Sequence, residues 1–158
     1  HYTNLTNDGE GAEEIIGTAD NFNSNYVGRR QAVTNAQVAY AQRAGAQVKA
    51  RIVEDIAANS ADINAEFEHF YAAYEAQVQK EIGAELQESF TIVRPHTKSK
   101  KCNTYDMQVF FIISEDAATR ARVRAYENAL KESEAAQRYA DRVSQFIHEG
   151  ISPSAPQN

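Results

Sequence analysis

Tryptophan is absent from this chain, cysteine and methionine occur once each, and no apolar stretch approaches the length of a bilayer crossing. Each scarcity excludes something. A single thiol, Cys102, cannot form an internal disulfide, and with no Cys-x-x-Cys pair a structural zinc site of that kind is ruled out. The strongly apolar run Val109–Ile113 falls far short of the ~18 residues that mark a membrane-spanning helix. The seven glycines are scattered and form neither Gly-x-Gly-x-x-Gly nor Gly-x-x-x-x-Gly-Lys, so no phosphate-cradling loop is written here. No Gly-x-Ser-x-Gly elbow is present either. Positive charge is missing from residues 1–28, which carry Asp8, Glu10, Glu13, Glu14 and Asp20. The chain opens on His1 and its only methionine is Met107, from which we expect that an upstream segment has been removed, a signal peptide being one natural candidate.

What is present is ordinary globular composition: 158 residues, 42% hydrophobic and 24% charged. That length suits one domain, expected over residues 12–150. Residues 1–11 read as a flexible lead-in, and residues 151–158, with two prolines, as a disordered tail. The net charge of −6 argues against general affinity for nucleic acid, so none is expected as a partner.

Periodicity predicts the elements. Glu13–Ala19 reads as a short strand in which Gly17 allows close backbone approach. Residues Asp20–Asn25 read as loop. From about Arg29 to Ala58 no proline intervenes, and Val33, Tyr40, Ala44, Val48, Ile52 and Ile56 recur mostly at four-residue spacing, the pattern of a helix. Asn59 or Ser60 can cap a second helix. Its stripe of Ile63, Phe67, Phe70, Tyr74, Val78, Ile82 and Leu86 is the strongest periodic signal in the chain. The rest of this segment is acidic, with seven acids against Lys80 over residues 61–88. Ser89–Arg94 reads as a strand. Tyr105, Met107, Val109, Phe111 and Ile113 then alternate strictly, and Phe110 and Ile112 make the other side apolar too, which predicts a central strand. Ser114 with Glu115 and Asp116 opens a last helix expected to run to about Glu149 and stop at Gly150. Ala118, Ala121, Ala125, Ala129, Ala136, Ala140, Val143 and Ile147 form its small-residue face. The order β-α-α-β-β-α predicts a two-layer α+β fold, with long helices packed on one face of a small three-stranded sheet.

Candidate chemistry is thin. Glu66-Phe67-Glu68-His69 holds one Glu-x-x-His, the helical spacing used in di-iron bundles, but those sites need a second copy and two further glutamates. The bland reading is a solvated helix face, and no metal or other cofactor is expected. Cys102 sits near Lys98, Lys100 and Lys101, cations that could lower a thiol pKa, yet no base is written beside it. Asn4-Leu5-Thr6 matches a glycosylation acceptor, a tripeptide common by chance. The most distinctive exposed feature is the segment between the last two strands. It carries Arg94, His96, Lys98, Lys100 and Lys101 and no acid, and is a candidate interaction surface. It could meet anionic lipid, an acidic polysaccharide or the acidic helix of another copy; otherwise its lysines protect a strand edge from aggregation.

A strand containing Ile15-Ile16-Gly17-Thr18-Ala19 precedes an alanine-rich helix, Arg30-Gln31-Ala32-Val33-Thr34-Asn35-Ala36 onward to Val48-Lys49-Ala50-Arg51-Ile52, then a second helix, a hairpin and a final helix. Over roughly residues 12–148 this arrangement resembles the Lpp-twenty-like bacterial lipoproteins, which are similar to flagellar outer-membrane accessory lipoproteins. The resemblance implies an exported, outer-membrane-anchored protein, periplasmic or surface-exposed, tethered by a lipidated cysteine upstream of His1. It implies a structural or interaction role with no catalytic residues. The second helix departs from the family in its aromatic content, with Phe67, Phe70, Tyr71 and Tyr74. Partners expected are other envelope proteins or further copies of the chain. The alternative is a ligand-binding domain for a glycan, lipid or peptide, with a pocket between the sheet and the aromatic second helix.

Overall fold

The computed structural model describes residues 12–58 and 60–150. The expected lead-in, the tail, the Asn4 tripeptide and Asn59 lie outside the described residues. Strand β1 spans Glu13–Phe22 and helix α1 Asn25–Ile52, followed by a π-helical turn, Val53–Ala57. Helices α2 (Ala61–Glu66) and α3 (Glu68–Ile82) come next, then a 3₁₀ turn, Gly83–Glu85. Strands β2 (Gln87–Pro95) and β3 (Tyr105–Ile113) form a hairpin, and α4 (Glu115–Leu130), α5 (Glu134–Arg138) and α6 (Ala140–Glu149) complete the chain. The order β-α-α-β-β-α is therefore present, with the second and third helical segments each broken into shorter helices.

The described residues gather into two compact units, residues 12–39 with 83–118 and residues 40–82 with 119–150, the division falling inside α1 and α4. In the first unit the sheet order is β1-β3-β2, all antiparallel, so β3 is central as its two-sided apolar pattern predicts. Ile15, Gly17 and Ala19 pair with Phe111, Val109 and Met107, and all six are buried on one face. The N-terminal part of α1 packs there. A Cβ on Gly17 would overlap the Ala32 carbonyl oxygen and come within 3.0 Å of the Ala36 methyl. The Asn35 amide also donates to the Thr18 carbonyl at 2.7 Å. Helix and sheet thus lie backbone against backbone, and glycine is what permits it.

β1 runs three residues past the expected Ala19. Asn21 takes a positive φ of 59°, a conformation asparagine tolerates better than most residues, and its N–H donates to Asp106 Oδ1 at 2.8 Å. That irregularity lets Phe22 return to the core and pair with Tyr105. Helix α1 also starts earlier than Arg29. Its first residues, Tyr26 and Val27, are exposed, so no buried stripe announced them.

In the second unit five residues of the predicted stripe are core, Phe67, Phe70, Tyr74, Val78 and Ile82 all being buried, whereas Ile63 is only half-buried and Leu86 falls outside the helix, after the 3₁₀ turn. Phe67 meets Phe70 edge-on and stacks near Tyr71, and Phe70 stacks on Tyr74 at 5.7 Å between ring centres. Burying each such ring is worth about 2–3 kcal/mol, so this stripe contributes strongly to the cohesion of the unit. The break between α2 and α3 falls at Phe67, where the ring turns into this cluster. The expected continuous last helix is likewise corrected: it stops at Leu130, restarts behind Ser133, whose hydroxyl accepts from the Ala136 N–H at 3.1 Å, and is interrupted again at Tyr139. Serine competes for main-chain donors in this way and favours a helix start over a helix interior. The alanine pattern hides the break, because Ala129 and Ala136 are seven residues apart and stay in phase across it.

Arg122 is the one charged side chain buried among the described residues, at 2% exposure. Its Nε donates to the Ile147 carbonyl at 3.1 Å, and its terminal nitrogens to Tyr40 Oη at 2.9 Å and Thr119 Oγ1 at 3.2 Å. One guanidinium thereby joins α4, α1 and the last turn of α6.

Candidate functional site: the basic hairpin

β2 and β3 meet in register through Ile92–Gln108, Val93–Met107, Arg94–Asp106 and Pro95–Tyr105. The connection beyond that last pair is a built turn. His96 N–H donates to the Thr104 carbonyl at 2.9 Å, and Cys102 N–H to the Ser99 carbonyl at 3.0 Å. Side chains complete it: Ser99 N–H donates to Thr97 Oγ1 at 3.3 Å, and Lys101 N–H to Ser99 Oγ at 3.2 Å. Serine and threonine at these positions supply the acceptors that a short polar turn needs.

Each predicted surface residue falls here, and all are exposed: Arg94, His96, Lys98, Lys100 and Lys101. The nine residues from Val93 to Lys101 are exposed without interruption. Among the described residues, Arg94, Lys98, Lys100 and Lys101 form no ion pair. Other cations do: Arg29 pairs with Glu88, Arg51 with Asp55 and Glu149, Arg124 with Glu81, and Arg138 with Glu66. No acid occurs between Ser89 and Tyr105, so the turn has no carboxylate of its own to answer these charges.

The carboxylate that bounds it, Asp106, is already engaged. Asp106 Oδ1 shares a hydrogen bond of 2.7 Å with His96 Nδ1 and accepts from Asn21 N–H. This contact holds the His96 pKa above its usual value, and chiefly through the same bond holds the Asp106 carboxyl below its own. His96 stands out in the basic segment, but its partner does not, since an aspartate ten residues away across a turn leaves no local signal.

Cys102 is half-buried at the foot of the turn. Its sulfur accepts from Thr97 N–H at 3.4 Å, and the thiol donates to the Thr104 carbonyl at 3.3 Å. The thiol is held down to about 6, first by the Thr97 hydroxyl and then by main-chain groups of Thr104 and Thr97. The neighbouring lysines are not among the causes. The nearby imidazole commits its Nδ1 to Asp106, and Cys102 contributes a turn-building hydrogen bond.

A shallow groove of about 350 Å³ lies at the base of the hairpin, lined by Thr18, Asp20, Ile92, Arg94, Pro95, Asp106, Met107 and Gln108. A second groove, about 570 Å³, lies between the later part of α1 and α3. Tyr71 lines it with Lys49, whose ammonium sits 5.2 Å from the Tyr71 ring centre. Phe70 and Tyr74 are buried in the ring stack instead. Glu66 is taken by Arg138, and no group of three His, Cys, Asp or Glu side chains converges on a metal position among the described residues. No described helix is long and apolar enough to cross a membrane. Comparison with protein-family models, curated proteins and solved structures finds no match.

Proposed function

We propose that this chain is a non-enzymatic interaction domain of the bacterial cell envelope that meets its partner through the hairpin Arg94–Lys101. The observation that carries the contact surface is a set of four cations with no ion pair among the described residues, on an internally hydrogen-bonded turn. A turn that is already ordered loses less entropy on docking than a loose loop would. The envelope assignment rests on the likeness in element order and alanine spacing to Lpp-twenty-like lipoproteins.

Self-association between the acidic second helical segment and this hairpin is the weaker version. Glu66, Glu81 and Glu88, three of its seven acids, are paired within the chain. Screening over ~8 Å at physiological salt weakens what remains.

Cation-exchange chromatography tests the surface directly. A protein of net charge −6 should pass a sulfonate matrix at neutral pH unless a local basic site captures it. Retention of the natural chain and passage of R94Q/K98Q/K100Q/K101Q support the proposal; equal elution of the two overturns it. Fractionation of the source cells tests the compartment, and recovery in the cytosol overturns the envelope assignment.

A further inference from the structure

We infer that the partner of this hairpin is the surface of an anionic phospholipid membrane, an inference that rests on the interaction surface proposed above. The geometry selects among anions. An enclosed ligand needs walls, and nine consecutive exposed residues from Val93 to Lys101 provide none. The groove at the hairpin base sets Asp20 and Asp106 beside Arg94, so an anion entering it meets two carboxylates. A flat, laterally extended anionic surface meets the projecting cations and leaves those carboxylates behind.

The flanks fit the same surface. Val93 is 45% exposed and Tyr105 39% exposed, one on each strand where the turn begins, and Pro95 lies between Arg94 and His96. Tyr105 presents a ring with a polar tip, the kind of side chain that sits at headgroup level, and the lysines carry apolar stems. A basic turn with small apolar flanks attaches weakly and reversibly.

Flotation of the full chain with phosphatidylcholine vesicles, with and without phosphatidylglycerol and at low and high salt, tests the inference. Binding is expected only with phosphatidylglycerol and should weaken with salt. Each cation replaced by glutamine should lower partition about fivefold, and R94Q/K98Q/K100Q/K101Q on the order of several hundredfold. The charge-preserving variant K98R/K100R/K101R should bind like the natural chain, which separates lost charge from lost structure. Equal binding to neutral vesicles, or undiminished binding by the quadruple glutamine variant, overturns the inference. Retention on the sulfonate matrix without binding to phosphatidylglycerol removes the lipid partner and leaves the contact surface standing; loss of both removes both.

Discussion

At Gly17 a missing methyl group decides how closely a helix can approach a sheet. Any Cβ there meets the Ala32 carbonyl, which belongs to a helix backbone and cannot swing aside. Gly17→Ala should therefore cost about 2 kcal/mol or more, at the upper part of the range for overpacking. Thermal unfolding checks this, and an unchanged midpoint would show that the contact relaxes freely. Tyr74 presents the opposite case, an atom too many. Its hydroxyl is buried with no hydrogen-bond partner among the described residues, and burial raises its pKa although the Arg122 charge pulls the other way. A buried polar group without a partner costs more than an apolar one of the same shape. Tyr74→Phe should accordingly leave stability unchanged or raise it by up to about 1 kcal/mol, as read by urea denaturation. A clear loss of stability would mean that the hydroxyl has a partner.

At the scale of the element, the contact between His96 and Asp106 ties the turn to β3. The raised His96 pKa means that its stabilising contribution is complete below the unfolded value, near 6.5, and is lost as pH rises through the folded value. The lowered Asp106 pKa means that its contribution is present above the usual carboxylate range and is lost as pH falls through the depressed value. The pair is therefore strongest in mildly acidic solution, between those limits. Asp106→Asn should bring the His96 titration, followed by NMR of the imidazole, back toward its ordinary midpoint. An unmoved titration curve would remove Asp106 as the cause. The helical elements show what periodicity can and cannot reveal. The stripe from Phe67 to Ile82 marked the buried face correctly, because burial requires that spacing whatever the neighbours are. The breaks at Phe67 and Ser133 left the phase of the pattern intact and so escaped it.

At the scale of the whole molecule, the pairing of charge is uneven. Guanidinium groups at Arg29, Arg51, Arg124 and Arg138 find carboxylates within the chain, and among the described residues Arg94, Lys98, Lys100 and Lys101 find none. Arg122 is the buried exception, where one side chain bonds α4 to α1 and to the end of α6. Removing one member of a buried charged network leaves its former partners unsatisfied. Arg122→Ala should therefore cost about 3 kcal/mol or more, and Arg122→Met, which keeps much of the volume, should cost less. Equal and small losses for both variants in chemical denaturation would show that the hydrogen bonds contribute little. The sequence by itself determined the element order, the central strand, the buried aromatic face and the position of the basic turn, because each is a local pattern of apolar spacing or charge. Only the tertiary structure decided which cations are paired and that Asp106 is held by His96 and Asn21. Those outcomes depend on residues tens of positions apart being brought within a few ångströms of one another, and no local pattern records that.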